Sequence, residues 1–171
     1  FHGVELHGAH GYLLAQFLSA EINQREDKFG GSLENRQRPM MTIVDAIRSR
    51  CGDDFMIGVR LSPERFGMHL PDVIDTAKRL FDDEQIDLLD MSMWDVFKTA
   101  EDNNGDDRSL LSYFAELERN GVRLGVAGKL RTPVQCEQAL AEGVDWVMLG
   151  RAAILHHDFP TKLAADPAFE P

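Results

Sequence analysis

Three side chains that can handle protons and carbonyl oxygens lie close together near the start of the sequence. His7 and His10 are three positions apart, and Tyr12 follows two positions later. A neutral imidazole donates one hydrogen bond, and a phenol can deliver a proton. One histidine at a strand end is usually held by backbone groups, but two histidines and a tyrosine together favour a role in chemistry. His-x-x-His also occurs in metal sites, yet no third ligand follows at a suitable spacing, so we expect no metal.

A single arginine interrupts a second apolar run. Arg60 stands within the stretch 55–61, which is otherwise apolar. An arginine that points into a protein interior is costly unless it meets an anion or a polar ligand. Contact with a bound ligand is therefore expected, and a structural ion pair with Glu5 is the alternative.

Two later apolar runs each end in a glycine that is followed by a cation. These pairs are Gly128-Lys129 and Gly150-Arg151. Glycine lets backbone amides approach phosphate oxygens, and an arginine can form a forked pair with them. One such pair is weak support because glycine ends many strands, but two in successive units favour a phosphate site.

Composition excludes several classes of protein. The 171 residues carry 18 Lys and Arg against 29 Asp and Glu, a formal net charge of −11. Nucleic acid and anionic membranes demand a basic face, so we expect neither as a partner. The two cysteines are far apart in the sequence, which argues against a disulfide framework and favours the cytoplasm. No signal peptide is visible. The chain begins with Phe1 rather than methionine, which suggests that the natural start lies elsewhere.

Short apolar strands alternate with amphipathic helices along the whole chain. Strands are predicted at 3–7, 55–61, 86–91, 122–127 and 144–149. Helices are predicted at 12–19, after Ser32 as N-cap, around 73–81 and 110–117, and from the capping box at 132–135 to Gly143. Pro39 is expected to kink or divide the second helix. The acidic stretch 101–107 predicts an exposed loop.

This alternation predicts an α/β fold with a parallel sheet in a single domain, residues 1–171. A doubly wound sheet would usually show a Gly-rich dinucleotide fingerprint, and none is present. A (β/α)8 TIM barrel needs about 250 residues, so about five βα units make a partial barrel. In a barrel, active sites lie at the carboxyl ends of the strands, where the residues described above fall.

One long stretch resembles a known family closely. It runs through Gly3-Val4-Glu5-Leu6-His7-Gly8-Ala9-His10-Gly11-Tyr12, and continues as Asn23-x-Arg25-x-Asp27-x-Phe29-Gly30-Gly31-Ser32. The sequence is similar there to the old yellow enzymes, a family of NADH:flavin oxidoreductases. The resemblance implies an FMN-binding (β/α)8 barrel that reduces activated alkenes with electrons from NAD(P)H. It also implies that the chain corresponds to the fourth to eighth strands.

The resemblance also implies a role for each candidate residue. His7 and His10 match the pair that holds the substrate oxygen, and Tyr12 matches the proton donor. Arg60 matches the arginine beside the pyrimidine end of the flavin. The FMN phosphate site is matched by Gly128, Lys129, Gly150 and Arg151.

Three functions remain open from the sequence. The first is an FMN-dependent ene-reductase acting on a small alkene, with this chain as part of it. The second is a catalytically silent barrel piece that folds or self-associates without FMN. The third is a phosphate-binding barrel enzyme with other chemistry. A homo-oligomer, or association with the rest of the barrel, is expected because an open barrel exposes its strand edges.

Overall fold

Five strands form one parallel sheet in the computed structural model, which describes residues 1–101 and 105–169. The strands are β1 Gly3–Gly8, β2 Met56–Leu61, β3 Leu88–Ser92, β4 Arg123–Ala127 and β5 Trp146–Met148. Each strand pairs in parallel with the next, in the spatial order β1-β2-β3-β4-β5. A spatial order that follows the chain is that of a barrel, whereas a doubly wound sheet reverses at a switch point. The predicted fold class, a partial (β/α)8 barrel, is confirmed.

Helices connect the strands and cover one face of the sheet. They are α1 Leu13–Leu18, α2 Leu33–Cys51, α3 Leu70–Asp82, α4 Ser112–Ala115, α5 Pro133–Ala141, α6 Arg151–Leu155 and α7 Phe159–Ala165. The Ser32 hydroxyl accepts a hydrogen bond from the Asn35 N–H, and Thr132 with Gln135 forms the predicted capping box. None of the described helices combines the length and the apolar character needed to cross a bilayer.

The two faces of the sheet differ in polarity. The face under the helices carries side chains with no exposed surface: Ile57, Val59, Leu61, Leu89, Met91, Leu124 and Val126. Burying an aliphatic side chain contributes about 1.5–3 kcal/mol, so this layer holds the sheet in place. Because side chains alternate along a strand, Glu5, His7, Arg60 and Asp90 lie on the other face. The rigid apolar layer thus positions a polar one.

Helix α2 is continuous through Pro39, and helix α4 is shorter than predicted. Helix α2 runs from Leu33 to Cys51 with Pro39 inside it, so the helix is not divided there. Pro39 removes one backbone donor, and the buried Met40 and Val44 keep the segment packed against the core. Helix α4 has only four residues, because the chain ahead of it turns around the Ser109 hydroxyl, which accepts the Ser112 N–H. Of the predicted acidic loop, positions 102–104 lie outside the described residues.

Candidate active site

The carboxyl ends of the strands surround an open cavity of about 410 Å³. Six of the eight residues predicted to form a site line it: His10, Arg60, Gly128, Lys129, Gly150 and Arg151. His7 and Tyr12 join this group through ring contacts with each other and with His10. The sheet therefore brings together residues that are more than 100 positions apart in the sequence.

The two histidines and the tyrosine form a compact cluster at the end of β1. The ring centroid of His7 lies 5.2 Å from that of His10 and 5.1 Å from that of Tyr12. The chain reverses between them, with His10 in a left-handed conformation and its N–H donating to the Ser62 hydroxyl at 3.0 Å. The predicted proximity of the three side chains is present in the structure.

These three side chains are available to a ligand. Within residues 1–101 and 105–169, the two imidazoles have no protein hydrogen-bond partner, and the Tyr12 hydroxyl has none either. A histidine at a strand end is usually held by hydrogen bonds to the backbone, but the rings of His7 and His10 are not held in this way. Tyr12 has 62% of its surface exposed, so its hydroxyl can meet a substrate from outside the sheet.

The charge state of His10 is set by its surroundings. Burial lowers the pKa of His10 below its usual value, and the positive charges of Arg60 and His7 act in the same direction. At neutral pH the imidazole is therefore uncharged and can donate one N–H. Such a donor suits an oxygen that gains negative charge during a reaction.

Arg60 is held by β3. Its Nε lies 3.1 Å from an Asp90 carboxylate oxygen and donates to the Ser92 hydroxyl at 2.7 Å. The ion pair expected with Glu5 as the alternative reading is not formed; the acidic partner is Asp90. Sequence reasoning missed Asp90 and Ser92. The available signal was a carboxylate and a hydroxyl two positions apart on an apolar strand, which places both on one face.

Gly128 and Gly150 meet the cavity in different ways. A Cβ at Gly128 would lie 3.0 Å from the Asp95 nitrogen and the Trp94 carbonyl carbon, so only glycine lets these backbones approach so closely. Gly150 has open space where a side chain would stand and precedes α6. The guanidinium of Arg151 has no partner in the described part of the chain. Open backbone with a free cation suits a phosphate.

Two further cations line the same end of the cavity. The Lys129 ammonium lies 3.0 Å from an Asp95 carboxylate oxygen, so part of its charge is already compensated. The Arg131 side chain is exposed and, among the described residues, pairs with no acid. Sequence reasoning missed Arg131, although it follows the Gly128-Lys129 pair by two positions.

Aromatic and strained residues form the mouth of the cavity. Trp94 is 60% exposed, and the Arg65 guanidinium lies 4.7 Å from the centre of its ring. Phe66 lies edge-on to His10, with 6.2 Å between ring centroids. Arg65, Phe66 and Trp94 all have positive φ angles. A non-glycine residue in this region costs about 1–3 kcal/mol, a cost that is typical of functional sites.

Comparison with known proteins identifies the family. The model of the NADH:flavin oxidoreductase / NADH oxidase family matches residues 1–168. The chain belongs to this family. It is 35% identical over 170 residues to an NADH oxidase of Thermoanaerobacter brockii, covering 95% of this chain and 26% of that protein. It is 31% identical over 189 residues to a cinnamate reductase of Clostridium sporogenes, covering 97% of this chain and 28% of that protein.

A solved structure gives the same relationship. Morphinone reductase in complex with tetrahydroNAD superposes with a TM-score of 0.77 and 26% sequence identity, covering 100% of this chain and 45% of that chain. The chain therefore spans less than half the length of each of these proteins. The predicted relationship with the old yellow enzymes is confirmed.

The family's cofactor is FMN, with NAD(P)H as electron donor, and the cavity fits such a group. Its volume of about 410 Å³ lies within the range of about 300–1,000 Å³ that small-molecule sites occupy. The free guanidinium groups of Arg131 and Arg151 suit a phosphate, and Arg60 suits a polar ring. No cluster of metal-ligating side chains occurs among the described residues.

Proposed function

We propose that this chain carries the substrate-oxygen and flavin-phosphate sites of an FMN-dependent enzyme that reduces an alkene conjugated to a carbonyl group. The observation that carries the proposal is the cluster of His7, His10 and Tyr12 beside the cavity that Arg60 lines. The names of the relatives, a cinnamate reductase and a morphinone reductase, support a conjugated alkene as the substrate class.

The two histidines bind the oxygen of the substrate. FMN, when bound and reduced by NAD(P)H, supplies the hydride that is added to the β-carbon of the alkene. Negative charge then develops on the carbonyl oxygen, and the N–H groups of His7 and His10 donate to it. Donors fixed in advance stabilise this charge without having to reorganise. The lowered pKa of His10 keeps that ring neutral at neutral pH, so it acts there as an uncharged N–H donor.

Tyr12 completes the addition. Its ring lies 5.1 Å from that of His7, and its hydroxyl is free of protein partners in the described chain. Both observations support a role in which the hydroxyl passes a proton to the α-carbon next to the bound oxygen. Only the step that consumes the alkene requires this proton.

The remaining predicted residues hold the cofactor. The phosphate is held by Gly128, Gly150 and Arg151. Lys129 adds a positive charge that its ion pair with Asp95 partly compensates. Arg60 presents its positive charge to the flavin ring, where negative charge accumulates on reduction. Location in the cytoplasm is part of this proposal, since NAD(P)H is supplied there.

A second candidate is a silent module that folds or self-associates without FMN. The observation in its favour is the open sheet, in which β1 and β5 each pair with a single strand among the described residues. A colourless purified protein would support this candidate, and a flavin spectrum would support the enzyme.

The mechanism predicts that Tyr12→Phe separates the two half-reactions. Loss of the hydroxyl should slow alkene reduction at least about 100-fold, a usual contribution of general acid catalysis. Flavin reduction by NAD(P)H should stay near its original rate, because that step needs no proton from Tyr12. Stopped-flow absorbance of the FMN-loaded protein measures both rates.

Tyr113→Phe is the matched control for this experiment. Tyr113 is the other tyrosine of the chain, and its hydroxyl donates to Asp106 at 3.0 Å, away from the cavity. This variant should keep both rates. If Tyr12→Phe slows flavin reduction as much as alkene reduction, Tyr12 is not the proton donor.

A further inference from the structure

A polar row crosses the inner face of the sheet beneath the cavity. In the strand register His7 lies opposite Arg60, Arg60 opposite Asp90, and Asp90 opposite Gly125. A side chain at Gly125 would collide with the indole of Trp146, whose nitrogen would lie 2.0 Å from the added Cβ. Asp90 therefore stands between an arginine and a glycine covered by an indole, with 1% of its surface exposed.

The contacts between β2 and β3 fix one end of the Arg60 guanidinium. Its Nε faces both Asp90, at 3.1 Å, and the Ser92 hydroxyl, at 2.7 Å. Its two terminal nitrogens meet no acceptor within residues 1–101 and 105–169. The arginine is therefore anchored from below through one nitrogen, and four N–H donors are left for a ligand in the cavity that it lines.

Asp90 makes an unusual partner for this arginine. Both of its carboxylate oxygens are buried, and neither accepts a hydrogen bond from the described residues. A buried carboxylate without donors is costly, and a neutral side chain would hold Arg60 at a lower cost. What a carboxylate adds at this position is a negative charge directly behind the guanidinium. Burial raises the pKa of Asp90 to about 7, with Arg60 opposing the rise and Glu5 adding to it.

We propose that Asp90 is a positioning residue that, together with Ser92, holds Arg60 through Nε and sets the net positive charge that Arg60 presents to reduced FMN. This inference rests on the proposed contact between Arg60 and the flavin. With Asp90 ionised, Arg60 is partly neutralised and favours the reduced, anionic flavin less. With Asp90 protonated, the full charge of Arg60 acts. The other charged or titratable groups of this region are Glu5, His7 and His10 on the β1 side and Arg123 on β4.

The test compares Asp90→Asn with the original residue in the FMN-loaded protein. The readouts are the affinity for oxidised FMN and the midpoint potential, which together give the affinity for reduced FMN. At about pH 8.5, where Asp90 is ionised, the variant should favour reduced over oxidised FMN about tenfold more than the original protein does. At about pH 5.5 both proteins carry a neutral side chain, and their potentials should coincide. Equal potentials at both pH values, or one constant offset, would overturn the proposal.

Three further variants separate the possible causes. Glu5→Gln removes a charge from the same face of the sheet without changing the contacts of Arg60, and it should change the preference for reduced over oxidised FMN less than Asp90→Asn does. An equal change would mean that any negative charge on this face has the same effect, and it would overturn the proposal. Ser92→Ala should weaken the binding of both FMN forms about threefold through the lost anchor, with no pH-dependent change in potential. If Asp90→Asn does not fold, the Ser92→Ala result decides the test, because an unchanged FMN affinity in Ser92→Ala contradicts the proposed anchoring of Arg60.

Arg60→Lys tests the proposed function itself. If this variant alters neither the FMN affinity nor the midpoint potential, the proposed contact between Arg60 and the flavin is wrong. An effect in Arg60→Lys without one in Asp90→Asn contradicts only the inference about Asp90.

Discussion

Asp90, the buried carboxyl group beside Arg60, stabilises the folded state at low pH, whereas a salt-bridged surface acid stabilises it at higher pH. A surface acid with a lowered pKa stabilises the folded state once it is ionised. Asp90 has a raised pKa, about 7, so the folded chain holds its proton more tightly than the unfolded chain does. The folded state therefore binds more protons than the unfolded state between about pH 4 and 7. This contribution is fully present below about pH 4 and is lost as the pH rises through 7.

We accordingly expect Asp90→Asn to flatten the pH dependence of stability. The original chain should lose free energy of unfolding between about pH 4.5 and 7.5 through this group, by an amount of about a few kcal/mol. The asparagine variant lacks the ionisable group and should lose less. Urea denaturation at the two pH values measures the difference.

Asp75→Asn provides the control for that measurement. Asp75 is exposed and pairs with Lys78 at 3.2 Å on the surface of α3. Surface pairs contribute about 0–1 kcal/mol, so this variant should keep the original pH dependence. An Asp90→Asn protein with an unchanged pH slope would show that the buried carboxyl is not protonated in the folded state.

At the residue scale, sequence reasoning found the cluster of chain neighbours at the end of β1 and missed the contact between β2 and β3 that holds Arg60. His7, His10 and Tyr12 lie within six positions, so their spacing predicted the cluster. Asp90 is 30 positions from Arg60, and their contact depends on the register of β2 against β3. Spacing cannot give that register, because a shift of one residue would turn the acid to the opposite face.

At the element scale, the strands and long helices could be predicted and the short connections could not. Alternating apolar residues and capping signals have local causes, and they placed all five strands and the starts of α2 and α5. Helix α4 was overestimated because its apolar spacing also fits an irregular turn that buries Leu110 and Leu111. The apolar pattern reports burial, and burial does not require a helix.

The capping box of α5 gives a prediction at this scale. The Thr132 hydroxyl accepts the Gln135 N–H at 3.3 Å, and the Gln135 side chain accepts the Thr132 N–H at 3.2 Å. Thr132→Ala removes the first of these bonds and should lower the free energy of unfolding by about 1 kcal/mol. Urea denaturation followed by circular dichroism measures the change.

Thr42→Ala is the matched control for the cap. Thr42 is exposed inside α2, where alanine is the better helix former, so this variant should be neutral or slightly more stable. Equal losses in the two variants would mean that the effect comes from the methyl and hydroxyl groups in general and not from the cap.

At the scale of the whole molecule, charge is distributed unevenly. The chain has a formal net charge of −11, yet the cavity is lined by Arg60, Arg65, Lys129, Arg131 and Arg151. An acidic surface with one cationic cleft concentrates the field there and guides anions such as phosphates to it. This arrangement joins an acidic overall composition with a cationic cleft that suits the proposed phosphate of the cofactor.

The open sheet leads to the last prediction, the association of the chain with itself. Strands β1 and β5 each have one edge without a strand partner among the described residues, and β1 also exposes Val4. Free edges present unpaired N–H and C=O groups that another strand can complete. We expect the 171-residue chain by itself to form dimers or larger assemblies, with a mass that rises with concentration in light scattering.

A charge at the edge tests the cause of this association. Val4→Lys places a cation on the exposed side of β1 and should reduce the association, because a lysine on an edge strand opposes pairing with another chain. Thr42→Lys adds the same charge at an exposed helical position of α2, outside the strands, and should leave the association as it was. A chain that stays monomeric at every concentration would contradict the prediction, and equal effects of the two lysines would assign the association to net charge instead of the strand edge.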